Sequence, residues 1–395
     1  PDIIIFNNDF VMMKVLSDNQ GHKTVLHQTT PPLQVRTGLL PQDMLVPSGL
    51  ILPENLKGII GNLKIDTRNE DIILSTEKES FEELMDEPII EDQKIIPQLK
   101  NKVLFITTNY SKNIQVLDPA KASPMYSLAQ KSIPIDVEAV QNGKFLLVTS
   151  YERPFVDIIS VADSRFIKQL DLPSFPQEIL LDEAQNKAYI SSPTTSTIFV
   201  VDLETMSLIQ RIRINGYCEK LLLKNNKLFY VDKLKNDVWA IEIAKDYELK
   251  NIGKFPNISA MEFINNKLYL ASRTKSRVAV VDYDTLELVK EFSTASKPIA
   301  MQAWGHSLFI LSAQDNLIQK VDTTNNEICG EIPLATEGFS VGFSKIAKTN
   351  LAVITDVKTN KYTLFDLTKG RILQTYTVNV PINDVVITDK VRLFK

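Results

Sequence analysis

The chain has 395 residues, of which 44% are hydrophobic and 23% are charged. This composition excludes disorder along the whole length, because it supplies enough apolar surface for a substantial core. The formal net charge of −4 conceals an uneven distribution, with a strongly acidic segment at residues 66–94.

The first hundred residues do not follow the pattern of the rest of the chain, and we predict an N-terminal extension over 1–100. Apolar runs at 3–6, 10–16 and 23–27 are separated by Asn, Asp and Gly, which predicts a meander of three short strands. Prolines recur between residues 29 and 56, and proline interrupts both helices and strand ladders. This stretch is therefore predicted to be extended chain that wraps over another surface.

The acidic segment follows. Residues 66–94 hold eleven acids against three bases, a charge of −8, so the remainder of the chain carries +4. Thr76 and Ser80 each stand three residues before a glutamate, in the spacing that satisfies free amides at a helix start. A short acidic helix is predicted at 76–85, and the segment is interpreted as either a solvated linker or a docking segment.

From residue 101 onward one strand pattern recurs every 40 to 43 residues. Its copies begin at residues 103, 145, 188, 228, 268, 308, 351 and 391. Each unit contains four strand-like runs, and a period near forty that is filled with strands is typical of a β-propeller. We predict an all-β, seven-bladed propeller over 101–395, closed by pairing of 382–387 with the blade that begins at 103. The alternative has eight blades, with the N-terminal strands and the copy at 391 completing one of them.

An acid closes the second strand of most units. An aspartate at the entry to a tight turn accepts hydrogen bonds from the amides that follow, so these acids are predicted to cap turns rather than to form a catalytic or metal set. They are Asp118, Asp202, Glu242, Asp282, Asp322 and Asp366. Asn-rich turns before the first strand, as at 225–227 and 265–267, suit the positive φ of tight hairpins.

The runs at 188–192, 198–203 and 278–282, with Pro298 before the next strand, resemble YVTN-type bacterial propeller repeats, related in style to surface-layer and NHL-like propellers. The resemblance covers residues 101–395. It implies an extracytoplasmic binding platform, enzyme or envelope component. The chain begins at Pro1, and we expect that a signal peptide or anchor has been removed or left out ahead of it.

The resemblance to propellers also implies that two sets of loops emerge on one face of the ring, where such proteins usually meet ligands. Together they carry basic and aromatic residues that suit an acidic partner segment, a sugar or a nucleic-acid backbone. The candidate binding residues are Tyr110, Lys112, Tyr151, Arg153, Phe175, Tyr217, Lys233, Lys235, Phe255, Arg273, Lys275, Arg277, Phe339 and Lys358.

The sequence contains few residues or motifs that are typical of catalysis or metal binding. The histidines are His22, His27 and His306, and no CxxC, HExxH, phosphate loop or G-x-S-x-G occurs. No catalytic residue, metal ligand or cofactor is predicted, and Cys218 and Cys329 are expected to be free buried thiols.

The leading interpretation is a non-enzymatic scaffold that binds protein partners, with the chain's own acidic segment 66–94 as one possible occupant of the basic face. The second is a lactonase-like or other small-molecule hydrolase that uses Arg273, Arg277, Glu152 and His306. An enzyme should show a closed-bottomed channel with converging carboxylates and perturbed pKa values, whereas a platform should not. Binding of polyanions or nucleic acid is the third and weakest interpretation.

Overall fold

A computed structural model describes five N-terminal strands and residues 96–390, apart from 109–110, 142, 151, 163–164 and 335–339. The chain divides into two compact units, Pro1–Gln93 and Lys94–Lys395. The strands of the first unit are β1 (Asp2–Phe6), β2 (Val11–Ser17), β3 (Lys23–Thr29), β4 (Lys64–Asp66) and β5 (Ile73–Ser75). The first three form an antiparallel sheet in the order β1-β2-β3, which confirms the predicted meander. The predicted acidic helix lies outside the described residues.

The second unit consists of seven four-stranded antiparallel sheets, which are the blades of a propeller. Blade 1 contains β6 (Lys102–Thr107), β7 (Asn113–Asp118) and β8 (Ser123–Ala129), with β33 (Asp384–Asp389) as its innermost strand. In the other blades the strands run from the innermost to the outermost in chain order. Blade 2 contains β9 (Pro134–Val140), β10 (Phe145–Ser150), β11 (Phe155–Ser160) and β12 (Phe166–Asp171). Blade 3 contains β13 (Ile179–Asp182), β14 (Lys187–Ser192), β15 (Thr197–Asp202) and β16 (Ser207–Arg213).

The remaining blades repeat this arrangement. Blade 4 contains β17 (Cys218–Lys224), β18 (Lys227–Asp232), β19 (Asp237–Glu242) and β20 (Glu248–Lys254). Blade 5 contains β21 (Ile258–Ile264), β22 (Lys267–Ser272), β23 (Arg277–Asp282) and β24 (Leu288–Ser293). Blade 6 contains β25 (Pro298–Trp304), β26 (Ser307–Ser312), β27 (Leu317–Asp322) and β28 (Glu327–Pro333). Blade 7 contains β29 (Ser340–Lys345), β30 (Leu351–Asp356), β31 (Lys361–Asp366) and β32 (Arg371–Thr377). Among the described residues, the helical segments are the 3₁₀ turns Pro97–Leu99, Pro193–Thr195 and Ile243–Lys245.

The ring closes where its two ends pair within blade 1. Strand β33 pairs with β6 in a continuous antiparallel register from Asp384 opposite Thr107 to Asp389 opposite Lys102. The Lys102 ammonium also lies 2.8 Å from a carboxylate oxygen of Asp389. This arrangement confirms seven blades. The eight-bladed alternative is wrong, because the ring already closes through β33 and β6 with seven four-stranded blades, and β1, β2 and β3 form a separate sheet. The eighth copy, at 391–394, lies outside the described residues.

Burial decreases from the middle of each blade outward. The second strand is buried on both faces, as in β26, because each blade packs between two others and needs apolar side chains on both sides. The fourth strand is mostly exposed, as in β24. The two cysteines differ accordingly: both are free, but only Cys218, on an inner strand, is buried, and the prediction of a buried Cys329 is wrong because that residue lies on outermost strand β28.

The repeated acids close the third strand of a blade, which is the second strand of the sequence unit because that unit begins at the second strand of the blade. These acids cap turns as predicted. One carboxylate oxygen of Asp202 accepts hydrogen bonds from the amides of Glu204 (3.1 Å) and Thr205 (2.7 Å). Asp118, Asp282, Asp322 and Asp366 accept equivalent bonds from the second residue of their turns. Glu242 instead pairs with Lys227 at 3.3 Å. The Asn-rich turns also behave as predicted, because Asn225, Asn265 and Asn266 have positive φ.

Ring closure predicts that the stability of the propeller depends strongly on the last strand. A chain that ends at residue 381 lacks β33, so the apolar edge of β6 loses its ladder and the ring keeps an open seam. We expect loss of most of the roughly 5–15 kcal/mol that stabilises a folded domain, seen as loss of a cooperative urea transition. A chain that ends at Lys390 keeps β33 and is the control. Equal transitions for the two truncations would contradict this account.

Candidate functional site

The two loop sets that carry the candidate residues lie on one face of the ring. In blades 4 and 5 the turn after the second strand is hydrogen-bonded to the loop that enters the innermost strand. The amide of Lys233 donates to the carbonyl oxygen of Tyr217, and the amide of Arg273 donates to that of Asn257, both at 3.0 Å. We call the surface formed by these turns and loops the binding face.

The binding face is more basic than the residue count suggests. Every lysine and arginine of the candidate set is exposed: Lys112, Arg153, Lys233, Lys235, Arg273, Lys275, Arg277 and Lys358. In contrast, the turn acids Asp232 and Asp356 are buried and bind backbone. Asp232 accepts from the amides of Tyr217 (3.0 Å) and Leu234 (3.1 Å), and Gly216 passes so close that a Cβ there would collide with this carboxylate. These acids hold the loops in place and leave the surface charge positive.

The aromatic candidates differ from one another in their exposure to solvent. Phe175 is 43% exposed and Tyr217 is half-buried. Phe255 is only 8% exposed, so its expected place on the rim is wrong: its ring packs with Ile258 and Leu270 between blades 4 and 5. Tyr110, Tyr151 and Phe339 lie outside the described residues.

A cavity of about 530 Å³ opens between blades 4 and 5 on the binding face. Its lining includes Lys220, Lys233 and Arg273, and among the side chains that the structure describes it contains no carboxylate. The amide of Asn257 donates to the side-chain oxygen of Asn236 (2.8 Å), which ties the wall from blade 4 to the wall from blade 5. We call this space the basic cavity; it brings together candidates Lys233 and Arg273.

A second pocket of about 380 Å³ lies next to the basic cavity and shares Ile258 with it. The lining residues of this interblade pocket are Phe255, Pro256, Ile258, Leu270, Ser272, Lys275, Arg277, Ala279 and Glu291. Its walls are largely apolar, whereas Lys275 and Arg277 are exposed. Arg277 lies 3.5 Å from Glu291, an exposed ion pair of small energetic value.

The central channel holds a group of carboxylates that the candidate set did not include. The innermost strands of all seven blades share one equivalent position. It is the residue just before the one that pairs with the middle of the second strand. Around the ring it is occupied by Asp384, Asp136, Glu178, Lys220, Ala260, Ala300 and Gly342. All seven line a cavity of about 440 Å³. One side of the channel is therefore charged, and the other is built from the smallest residues.

Each of the three acids at this position binds the backbone of the next blade. Asp384 accepts from the amide of Val137 (3.2 Å), Asp136 from that of Ile179 (2.6 Å), and Glu178 from that of Leu221 (2.7 Å). An innermost strand has no ladder partner on its channel side, so its amides need other acceptors. The carboxylates supply them and tie successive blades together.

Burial and mutual repulsion perturb the carboxylates of this channel. Desolvation raises the pKa of Asp136, and it raises the pKa of Asp384 well above its ordinary value with a further increase from the Asp136 charge. The two side chains are hydrogen-bonded to each other, as in a pair that holds one proton. Desolvation and the charges of Asp136 and Asp384 also raise the pKa of Glu138 well above its ordinary value.

A sequence signal for this group existed. Asp136 and Glu178 each stand two residues after the proline that precedes or begins an innermost strand, Pro134 and Pro176. Aligning the units on that proline places both acids at one position of the repeat, which is the signal that identifies them. The equivalent position in blade 4 holds Lys220, whose ammonium lies 3.7 Å from Glu178.

The hydrolase residues named from the sequence do not converge. Arg273 and Arg277 flank the turn between β22 and β23 on the binding face, whereas His306 lies in the turn between β25 and β26. Because the strands alternate in direction, these turns are at opposite ends of the blades. Within the described residues, no three His, Cys, Asp or Glu side chains are arranged to hold a metal ion. In that part of the chain no helix is long and apolar enough to cross a membrane.

These features define a seven-bladed β-propeller with a basic binding face and a channel that is acidic on one side. No protein-family model matches the chain, and no curated protein sequence matches it. Solved structures match at the level of fold. A functionally unknown protein from Desulfotomaculum acetoxidans aligns with a TM-score of 0.60 and 11% identity over 73% of this chain and 99% of its own.

Two further solved structures show the same fold. The dihydro-heme d1 dehydrogenase NirN aligns with a TM-score of 0.54 and 9% identity, over 74% of this chain and 76% of its own. Apo AztD from Citrobacter koseri aligns with a TM-score of 0.52 and 10% identity, over 73% and 98%. At these identities the likeness concerns architecture alone.

The raised pKa of Asp384 predicts that stability falls as pH rises. Its contribution is fully present below the unfolded pKa, near 3.8, and is lost as pH increases through the higher folded value. Asp384→Asn keeps both hydrogen-bonding roles but cannot ionise, so the decline in the free energy of unfolding as pH rises above 3.8 should become shallower. Urea unfolding at several pH values measures this slope.

Asp202→Asn is the control for that experiment. Hydrogen bonds from Thr205 lower the pKa of Asp202, so this group is ionised throughout the range and its removal should leave the slope unchanged. The same slope for Asp384→Asn and the wild type would show that Asp384 is not the titrating group.

Proposed function

We propose that the propeller is a non-enzymatic binding module whose binding face takes an acidic segment of a protein partner. The observation that supports this most directly is the basic cavity, which joins Lys220, Lys233 and Arg273 in about 530 Å³ with no carboxylate among the described residues of its lining. Two neighbouring turns on the same face add Lys235, Lys275 and Arg277, all exposed. Complementary charge of this kind steers association and selects partners.

The proposal extends to the setting of the protein. The resemblance to YVTN-type repeats supports an extracytoplasmic scaffold, in the periplasm, at the cell surface or secreted. The chain's own acidic segment, residues 66–94, has the same chemistry as the proposed partner and is one candidate occupant of the face. Binding of nucleic acid is disfavoured because Lys220, Lys233 and Arg273 surround a cavity between two blades, rather than forming a continuous groove.

Charge reversal tests the binding face. Lys233→Glu combined with Arg273→Glu should weaken binding of a fluorescein-labelled oligo-glutamate at least tenfold, measured by fluorescence anisotropy at fixed salt. Lys121→Glu combined with Lys245→Glu changes the net charge equally, but it alters exposed turns at the other end of the blades and should have little effect.

Equal weakening by the two double variants would show that only net charge matters, which contradicts a specific site. If an oligonucleotide binds more tightly than oligo-glutamate, with a steep salt dependence, the partner is a nucleic acid or similar polyanion and not a protein segment. Removal of residues 66–94 should strengthen oligo-glutamate binding if that segment occupies the face. Unchanged binding would eliminate it as the occupant.

A second candidate function is hydrolysis of a small molecule in the central channel. It is favoured by Asp136, Glu138 and Asp384, whose raised pKa values would allow one carboxyl group to donate a proton while another acts as a base. Two observations weigh against it. The acids at the repeated position already hold backbone amides, and the channel cavity shares Glu138 and Asp384 with a second cavity of about 500 Å³, so its floor is not closed.

The hydrolase candidate predicts a specific loss. If the channel is catalytic, the protein should hydrolyse a member of a panel of p-nitrophenyl esters and glycosides and of lactones. Glu138→Gln should then lower kcat by about a hundredfold or more, and Glu183→Gln, on the second cavity only, should not. Absence of turnover by the wild type, or an equal loss in both variants, would remove this candidate.

A further inference from the structure

The repeats allow one blade to be compared with the next, position by position. In blade 4, Tyr230 pairs with Trp239 across β18 and β19, and in blade 5 the equivalent pair across β22 and β23 is Leu270 with Ala279. The registers match throughout, since Lys227 opposite Glu242 corresponds to Lys267 opposite Asp282. The two blades therefore differ at this point by the volume of an indole and part of a phenol ring.

That volume is filled in blade 4. The ring of Trp239 stacks on Tyr230 with the centroids 6.3 Å apart and the planes at 7°, in a cluster that includes Ile214. In the other blades the residue at the position of Trp239 is Gln115, Asp157, Phe199, Gln319 or Thr363. Ala279 is the smallest of the seven, and the interblade pocket of about 380 Å³ lies against it.

The surroundings of the pocket are those of an aromatic site. Phe255, Ile258 and Leu270 form apolar walls, as Ile214 and Tyr230 do around Trp239 in blade 4. Lys275 and Arg277 are part of the same lining. The pocket opens to solvent beside the exposed residues Lys275, Arg277 and Glu291, so its apolar walls are in contact with water, and covering them with an apolar side chain is favourable. In blade 5 the natural filler is a side chain from outside the ring.

We propose that the interblade pocket takes an aromatic side chain, tryptophan above all, from the same acidic partner segment that binds the basic cavity. This inference rests on the proposed function, because it assigns the partner its apolar anchor. The two spaces share Ile258, so a short peptide reaches both. An aromatic residue flanked by acids would place its ring against Leu270 and Ala279, with a carboxylate beside Lys275, because Arg277 already pairs with Glu291 of the same lining. Buried aromatic anchors next to charged residues dominate many interfaces.

Two synthetic peptides test the anchor. One is an acidic nonapeptide with a single central tryptophan, and the other has alanine in its place; both carry fluorescein. The wild type should bind the tryptophan peptide about tenfold more tightly than the alanine peptide. Ala279→Trp fills the pocket from within, so it should abolish this preference while binding of the alanine peptide stays unchanged. Ala279→Ser leaves the space open and should keep the preference.

The experiment separates the two proposals. Lys233→Glu with Arg273→Glu should weaken both peptides by a similar factor and preserve their ratio. Equal affinity of the wild type for the two peptides would overturn the aromatic anchor and leave the acidic partner standing. Tight binding of the tryptophan peptide that the charge reversal does not affect would overturn the proposed function instead. The comparison of peptides on the wild type is decisive even if Ala279→Trp fails to fold.

The uncharged probe 5-fluoroindole tests the pocket without the basic cavity. Its fluorine resonance should shift and broaden with the wild type and with Ala279→Ser, and it should remain that of the free probe with Ala279→Trp. An identical response from Ala279→Trp would place the indole elsewhere and contradict the assignment.

Discussion

The structure depends on how the innermost strands satisfy their backbone. Each has a ladder partner on one side and the channel on the other, and backbone amides without acceptors are costly in a protein interior. Carboxylates of Asp384, Asp136 and Glu178 meet this need at three consecutive junctions. Elsewhere Ser259 donates to the carbonyl oxygen of Pro298, and Gln302 to that of Phe343. The carboxylates thus satisfy backbone amides, and the neutral side chains satisfy carbonyl oxygens; the placement of the carboxylates gives one side of the channel its charge.

The charge of the channel and the interblade pocket both arise where one repeat differs from the others. The charge of the channel changes from acid to base between Glu178 and Lys220 and then disappears at Ala260. The interblade pocket exists because Ala279 replaces the larger residues of the other blades. A ring of similar units has no preferred direction of approach, whereas these departures make blades 4 and 5 differ from the rest of the ring. The identity of a ligand therefore depends on local differences, which fold comparison does not detect.

Sequence periodicity predicted the seven blades, the closure through 382–387 and the turn-capping aspartates, because each depends on local hydrogen bonding or on strand spacing. It also predicted that the basic turns share a face. It misplaced Phe255 and Cys329, since whether a side chain enters a gap between blades depends on residues from several units. The carboxylate group was missed for a similar reason: Asp136 and Asp384 lie far apart in the sequence and meet only when the ring closes. The binding assignments for the face are proposals that the fold alone does not decide.

The pairing of β33 with β6 also has a consequence for biosynthesis. Thr107 and Asp384 are 277 positions apart, yet they face each other in one blade. On a ribosome the other six blades can form in order as they emerge, while blade 1 waits with three strands and an open edge until the last strand leaves the exit tunnel. The nascent chain therefore carries an unpaired, apolar strand through most of its translation. During that interval the exposed edge of β6 is a binding site for a chaperone.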